Sequence, residues 1–229
     1  MTKIAIMQPT YLPWCGYFKL MAEVDKFVIL DTVQFEKRSW QQRNKIKTFS
    51  SSLWLTVPVK SKGKRDQKII DVKIDYETNF YIKHIKSIET FYRKAKYYKN
   101  YSGLIFDIIN SKKNKLVDLN LDLIFLIKDM LDIKTKILRA SELKSFGNKS
   151  EYLSKICFEV GASEYISPPG SQIYLSDEFS DGKNIIPISY LNFLHPEYPQ
   201  LYGNFLPYMS IIDMILNNGP KSREIMLKV

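Results

Sequence analysis

The pattern of apolar and polar residues predicts an α/β fold with a mostly parallel sheet and flanking helices. Short apolar runs that end in polar or turn-forming residues are typical of buried strands. Such runs occur at Lys3–Met7, Lys26–Leu30, Lys136–Leu138, Glu164–Ser167 and Ile185–Ile188. Helices are predicted at Tyr17–Glu23, Lys149–Val160 and Ser210–Asn217. Because strands and helices alternate, we expect parallel strand pairing with right-handed crossovers.

Two insertions interrupt this alternation. Asn44–Thr48 and Leu53–Val57 predict a two-stranded β-hairpin. After a basic loop, the alternating stretch Ile69–Ile74 predicts a further strand. From residue 79 to residue 130, apolar residues recur every three to four positions, which predicts about three helices. We therefore expect a single α/β domain over residues 1–229, with residues 79–130 forming a helical sub-lobe.

Composition places the chain among ordinary folded proteins. Its 229 residues suffice for a sizeable core, and 45% of them are hydrophobic while 25% are charged. The first residues lack the basic and long apolar regions of a signal peptide. The longest apolar-rich window, Leu116–Met130, is interrupted by Asp118 and Lys128, which indicates an amphipathic helix. We therefore expect a cytoplasmic protein without a membrane span.

The few cysteines and histidines limit the chemistry that the chain can perform. Cys15 and Cys157 lie far apart and, with His84 and His195, lack the spacing of metal ligands, so we expect no metal site. The chain has neither a Walker loop nor a G-x-G-x-x-G motif, the usual nucleotide fingerprints. The cofactor is therefore unknown from the sequence. For each cysteine, a small buried residue is the favoured interpretation.

The net charge of +10 attracts anionic partners. Nucleotide-linked substrates, nucleic acid and lipid surfaces all fit, but solvated lysines spread over the surface are the favoured interpretation. Nucleic acid would use the basic loop Lys60–Lys68 and helices that carry Lys94, Lys96 and Lys99, with aromatic rings stacking on bases. Acidic residues are interspersed and no recognition motif is present, so nucleic acid is the least favoured partner.

Candidate ligand-binding residues follow the predicted strands. In an open α/β sheet, ligands bind beyond the carboxyl ends of parallel strands. The first strand is followed by an aromatic turn, the second by a carboxylate and an amide, and a later one by a small rigid loop. We expect the following residues to bind substrate at this edge: Gln8, Tyr11, Trp14, Asp31, Gln34, Ser167 and Gly170.

The aromatic and amide residues of these segments have a structural alternative. Aromatic rings in a turn stack on a ligand or pack on the core, and the sequence leaves both open. Gln8 is a stronger candidate, because its amide can both donate to and accept from a ligand. Trp40 and Asn44 continue the mixture of amide and aromatic groups beyond the second strand, and we include them among the substrate-binding residues.

Candidates for phosphate binding and for acid–base chemistry are few. The residues 147–150 (G-N-K-S) precede a predicted helix, whose free N–H groups would attract an anion. Ordinary capping by Asn148, with Glu151 in the first turn, is the favoured alternative. His84 is the candidate catalytic base, although a lone histidine on a helix is more often a packed or exposed residue. His195 is a second candidate base, and a packed or exposed residue without a catalytic role is again the more common case.

Several long runs resemble the WbqC-like protein family. They are Q-P-T-Y-L-P-W-C-G-Y-F (Gln8–Phe18), D-K-F-V-I-L-D-T-V-Q-F (Asp25–Phe35), W-Q-Q-R-N-K-I (Trp40–Ile46) and W-L-T-V-P-V (Trp54–Val59). The likeness continues through Lys83-His84 to the C-terminal runs Y-I-S-P-P-G-S and S-I-I-D-M-I-L-N-N-G, so it spans nearly the whole chain. Pro168-Pro169 stands where the resemblance implies smaller residues.

The resemblance implies a setting rather than a set of catalytic residues. Members of the family look like accessory proteins of bacterial surface-polysaccharide clusters, such as those for O-antigen. This implies modification of a nucleotide-activated amino sugar, for instance by acylation or aminoacylation of its amine. The order of strand, P-T-containing turn, helix and strand is also similar to pantothenate synthetase and related nucleotidyltransferases. The paired turn histidines of that group are missing here.

Two hypotheses follow for the same pathway. The first is a transferase or amide-forming enzyme that acts on a nucleotide sugar, with His84 as base and basic residues on the diphosphate. The second is a non-catalytic binding or scaffold protein. Self-association into a homo-oligomer stays open, because no residue pattern decides it.

Overall fold

A computed structural model describes residues 1–173, 175 and 177–228 of the chain. The strands are β1 (Lys3–Met7), β2 (Lys26–Ile29), β3 (Arg43–Lys47), β4 (Ser52–Thr56), β5 (Lys136–Arg139), β6 (Glu164–Ser167), β7 (Glu178–Ser180) and β8 (Ile185–Tyr190). The helices are α1 (Cys15–Ala22), α2 (Phe80–Tyr92), α3 (Tyr98–Asn110), α4 (Leu116–Met130), α5 (Lys149–Glu159), α6 (Ile211–Asn218) and α7 (Lys221–Leu227). The predicted α/β fold class is confirmed.

The central sheet has six strands in the order β5-β2-β1-β6-β8-β7. All neighbours pair in parallel except β7, which pairs antiparallel with β8. The chain moves outward from β1 to β2 and β5 on one side, and then returns to β6 on the other side of β1. A topological switch point therefore lies between β1 and β6, where open α/β sheets place their ligand crevice.

The sheet is buried on both faces, as the apolar runs predict. In β1, Ala5 packs into one hydrophobic cluster with helices α1 to α4 and α6. Ile4 and Ile6 point to the other face and pack with Tyr152 and Ile156 of α5. Alternation of this kind follows from the two-residue period of a strand, because successive side chains point to opposite faces.

The insertions are partly as predicted. The hairpin forms from β3 and β4, and the helical section contains α2, α3 and α4. The strand predicted at Ile69–Ile74 is wrong, because Ile69–Asp71 is a short 3-10 helix. The buried residues of this stretch are Ile69, Val72 and Ile74. Ile69 and Val72 are three positions apart, a spacing that suits a helical turn rather than a strand. Only single bridges pair this stretch with other segments, as in Val59 with Ile74.

Candidate functional site

A cleft of about 340 Å³ opens at the switch point of the sheet. We call it the switch-point cleft. It is lined by residues of β1, β6 and α5, by residues that follow β1, β2 and β6, and by the segment before β3: Ile6, Met7, Gln8, Thr10, Leu30, Glu36, Ser39, Trp40, Gln41, Leu153, Tyr165, Ser167 and Pro168. Three of the predicted substrate-binding residues, Gln8, Trp40 and Ser167, therefore meet in one cleft.

Two buried amides hold Gln8 at the wall of this cleft. The Gln41 side chain donates a hydrogen bond of 2.8 Å from Nε2 to Gln8 Oε1. Asn120 of α4 donates from Nδ2 to the carbonyls of Gln41 (2.8 Å) and Pro9 (3.2 Å), which ties the turn after β1 to the segment before β3. Because the Gln8 oxygen is occupied, its NH₂ group is the part available to a ligand.

Glu36 gives the switch-point cleft its charge. Of all Asp, Glu, Lys, Arg and His residues in the described part of the chain, only Glu36 lines this cleft. The side chain is exposed, and no ion pair of the described residues involves its carboxylate. The neutral polar side chains that line the cleft with it are two amides and the hydroxyls of Thr10, Ser39, Tyr165 and Ser167. Such a cleft suits a polyhydroxylated ligand that carries an amine.

Two further clefts lie beside the first and are basic. The rim cleft, of about 670 Å³, is lined by Thr32, Val33, Gln34, Asp66, Lys68, Ala140, Ser141, Leu143, Ser145, Phe146, Gly147, Asn148, Lys149 and Tyr152. The basic cleft, of about 530 Å³, is lined by Gln34, Phe35, Lys37, Ser61, Gly63, Lys64 and Arg65. Gln34 belongs to both and donates to the Arg65 carbonyl at 3.0 Å. Residues 30–37 thus contribute to all three clefts.

The segment 147–150 opens helix α5 at the edge of the rim cleft. Asn148 occupies the cap position with an extended backbone, but its side chain accepts no capping hydrogen bond. Ordinary side-chain capping, the favoured alternative from the sequence, is therefore not what this helix start uses. Lys68, Lys149 and Asp66 line the same cleft, so its wall carries two cations, one carboxylate and a helix N-terminus, which leaves a net attraction for an anion.

Two predicted site residues form a pair inside the protein instead of lining a cleft. Tyr11 is fully buried, and its hydroxyl lies 2.9 Å from His84 Nδ1. His84 of α2 is 5% exposed, and it also bonds to the backbone of Thr56. Burial lowers the pKa of His84 to about 4. Neither residue lines a described cleft, so the geometry gives His84 no direct access to a ligand.

Asp31 and Asn44 are likewise engaged with the protein. Asp31 is fully buried and accepts from Arg139 Nε (2.9 Å) and Nη2 (2.7 Å) and from the backbone and hydroxyl of Ser141. This contact joins the carboxyl ends of β2 and β5. Asn44 is buried and donates from Nδ2 to the Leu12 carbonyl at 2.7 Å, which fastens the aromatic turn to β3.

Trp14 and Gly170 lie apart from the three clefts. The Trp14 indole packs against Phe193, His195 and Tyr208 of the C-terminal loop, with ring centroids 5.1, 6.1 and 5.5 Å away. Trp14 and Gln8 thus do not line the same cleft, although they are only six positions apart in sequence. Gly170 is exposed in the short 3-10 helix Pro169–Ser171 and lines none of these clefts.

Sequence reasoning missed Glu36 and Gln41. Both lie in the irregular segment between β2 and β3, where no strand end predicts a rim position. The doublet Gln41-Gln42 after Trp40 was an available signal, because adjacent amides in a loop need hydrogen-bond partners when they are buried. Gln41 is 1% exposed, which confirms that this need exists.

The described residues contain neither a metal-binding cluster nor a membrane-spanning helix. No group of three or more histidine, cysteine, aspartate and glutamate side chains could hold a metal ion there. Within the same part of the chain, every helix is too short or too polar to cross a membrane.

The fold and its clefts define a mostly parallel α/β protein with crevices at the carboxyl edge of the sheet. The chain belongs to the WbqC-like protein family, whose model matches residues 8–225. It is 34% identical over 225 residues to a Mycobacterium tuberculosis (strain ATCC 25618 / H37Rv) protein described as "Uncharacterized protein Rv1507c", which covers 98% of this chain and 97% of that protein. No solved structure shows significant similarity to the chain.

Proposed function

We propose that the protein binds a nucleotide-activated amino sugar and transfers an acyl or aminoacyl group to its amine. Family membership suggests a role in a polysaccharide-associated pathway, which is the setting of such substrates. The observation that carries the proposal is the switch-point cleft, where the lone carboxylate of Glu36 lies among amides and hydroxyls. The adjoining basic clefts supply the lysines that a diphosphate needs.

In this proposal the sugar occupies the switch-point cleft and the diphosphate lies against the basic walls. Gln8 donates to a sugar oxygen, and the Trp40 indole packs on the ring. Ser167 closes the wall at the end of β6. Lys68 and Lys149 contact the phosphates. Among the predicted substrate-binding residues, Tyr11, Asp31 and Asn44 then act by holding these elements in place, because their own polar groups are bonded inside the protein.

Glu36 takes the role of base in place of His84, because it lies in a cleft and His84 does not. The amine nitrogen attacks the carbonyl carbon of an activated acyl donor, a thioester or an acyl phosphate. The new C–N bond forms while the bond from carbon to the leaving sulfur or oxygen breaks. Glu36 accepts the proton that the nitrogen loses, and the leaving thiolate or phosphate departs with the electron pair.

Calorimetric titration with UDP-glucosamine tests the binding step. We expect a dissociation constant in the micromolar range. Gln8→Ala should weaken binding about tenfold, since it removes a hydrogen bond to an uncharged group. Lys68→Ala should weaken it several-fold and reduce its dependence on salt. Asn110→Ala removes an exposed amide on α3, away from the clefts, and serves as the matched control.

Outcomes of this titration separate the proposal from its rivals. Absence of binding by the folded wild-type protein, across several amino-sugar nucleotides, contradicts the proposal. If neither Gln8→Ala nor Asn110→Ala weakens binding, the ligand binds outside the switch-point cleft. For catalysis, Glu36→Gln should retain binding and lose about a hundredfold or more of the transfer rate. A scaffold protein would show binding without any transfer in the wild type.

A further inference from the structure

Two tryptophans form an exposed aromatic surface beside the switch-point cleft. Trp40 is 47% exposed and Trp54 of β4 is 37% exposed, although large aromatic side chains are usually buried more deeply. Their ring centroids are 5.3 Å apart and their planes are inclined by 46°. We call this pair, with Arg43 and Lys45, the tryptophan platform. Trp40 also lines the switch-point cleft, so the two features are continuous.

Two cations converge on one ring of the platform. Arg43 and Lys45 are two residues apart on β3, and Lys45 pairs directly with Trp54 across the hairpin. The Arg43 guanidinium carbon lies 4.2 Å from the Trp54 ring centroid, and the Lys45 ammonium lies 4.9 Å from it. Neither forms an ion pair within the described part of the chain. The buried Arg43 Nε also has no hydrogen-bond partner there.

This arrangement favours a ligand that is both planar and anionic. Two cations held against one indole repel each other, and an anion between them relieves that repulsion. An open indole stacks on a flat ring, and tryptophan stacks on nucleobases with little preference among them. A neutral glycan would instead need carboxylates or amides beside the rings, and the platform itself carries cations. A base joined to a phosphate meets both requirements.

We propose that the tryptophan platform binds the nucleotide part of the activated acyl donor. The base stacks on the exposed part of Trp54, next to Trp40, and Arg43 and Lys45 bind its phosphate. This inference rests on the proposed function, since it names the class of the second substrate. The shared residue Trp40 places the donor next to the amino sugar in the switch-point cleft, as direct transfer between the two requires.

Titrations with ADP, adenosine and inorganic pyrophosphate, followed by tryptophan fluorescence and calorimetry, test the platform. ADP should bind at least tenfold more tightly than adenosine or pyrophosphate, because only ADP has both parts. Trp54→Ala should weaken ADP binding about tenfold. Lys45→Gln should weaken it several-fold and flatten its dependence on salt. Phe125→Ala, which removes a 40% exposed aromatic ring from α4, is the matched control.

A competition experiment separates this inference from the proposed function. With glucosamine 1-phosphate, which lacks a base, saturating the switch-point cleft, ADP should still bind, and Trp54→Ala should leave glucosamine 1-phosphate binding unchanged. Displacement of ADP by glucosamine 1-phosphate, or equal affinities for ADP and pyrophosphate, would overturn the platform assignment and leave the proposed function standing. Conversely, ADP binding that depends on Trp54 in a protein that binds no amino-sugar nucleotide would retain the platform and refute the proposed function.

Discussion

Asp31 and Gln8 both follow a buried strand, yet their side chains have different surroundings. Gln8 is exposed at the switch-point cleft, whereas Asp31 is fully buried beneath the same edge. The sequence predicts that both lie at the carboxyl edge, because each follows an apolar run. It does not predict the partner of Asp31, because Arg139 lies 108 residues away on β5. Long-range partners of this kind decide which rim residues are free for a ligand.

Removal of the Asp31 carboxylate should therefore act on stability rather than on binding. Asp31→Asn keeps the size of the side chain but leaves Arg139 without its charged partner. Because Asp31 is buried and Arg139 is 26% exposed, we expect the free energy of unfolding to fall by about 2–4 kcal/mol. Urea denaturation measures this loss. Affinity for UDP-glucosamine, measured at low temperature where the variant stays folded, should change less than threefold.

The control for this prediction is an exposed ion pair. Lys155→Gln breaks the contact between Lys155 and Glu151 on α5, whose side chains are 45% and 68% exposed, and should change stability little. Loss of UDP-glucosamine affinity in Asp31→Asn beyond tenfold, with the protein folded, would instead support the direct substrate contact that the sequence predicts for Asp31.

At the scale of elements, the regular apolar patterns were sufficient to predict strands and helices. The short or irregular segments could not be predicted in this way. The strands of the parallel sheet and the three helices between residues 79 and 130 could be predicted, because burial imposes a period on them. The three-residue β7 and the helix α7 were missed, since neither is long enough to show a period. The segment 36–42 has no regular structure at all, yet it supplies Glu36 and Gln41 to the cleft.

Asn120 of α4 connects a regular element to that irregular segment, and its removal should loosen the cleft. Asn120→Leu conserves volume but leaves the carbonyls of Pro9 and Gln41 without their donor, which costs about 1–3 kcal/mol for each buried group. We expect faster hydrogen exchange of the amides in residues 8–12 and 36–42. UDP-glucosamine affinity should fall several-fold, because Gln41 no longer positions Gln8.

A buried hydrogen bond far from the cleft provides the comparison. Ser222→Ala removes the bond from the Ser222 hydroxyl to the Met214 carbonyl, between α7 and α6. This variant should lose stability without any change in exchange at residues 36–42 or in affinity. Equal loss of affinity in both variants would mean that general destabilisation, and not the position of Gln8, governs binding.

At the scale of the whole molecule, the protein buries two ionisable groups whose pKa values shift in opposite directions. Burial lowers the pKa of His84 from 6.5 to about 4 and raises that of Asp213 from 3.8 to about 6. The Asp213 carboxylate accepts a hydrogen bond of 2.6 Å from the Tyr92 hydroxyl, and the positive charge of Lys47 partly offsets the effect of burial on its pKa. Both shifts have the same physical cause, which is the cost of charge in the interior.

These shifts have opposite effects on stability as the solution is acidified. Between pH 6.5 and 4 the unfolded chain protonates His84 more readily than the folded protein does, so acidification destabilises the fold through this group. Between pH 6 and 3.8 the folded protein holds the proton of Asp213 more tightly, so acidification stabilises the fold through that group. Each contribution reaches about 3 kcal/mol, and the two largely cancel in the wild-type protein.

Variants that remove one group should expose the contribution of the other. Relative to the wild type, Asp213→Asn should lose up to about 3 kcal/mol of unfolding free energy between pH 7 and pH 4, while His84→Gln should gain a similar amount. Urea denaturation at pH 7, 5.5 and 4 measures both, and Asp107→Asn, which removes an exposed carboxylate from α3, is the control. Profiles of the two variants that stay parallel to the wild type would contradict the opposed pKa shifts.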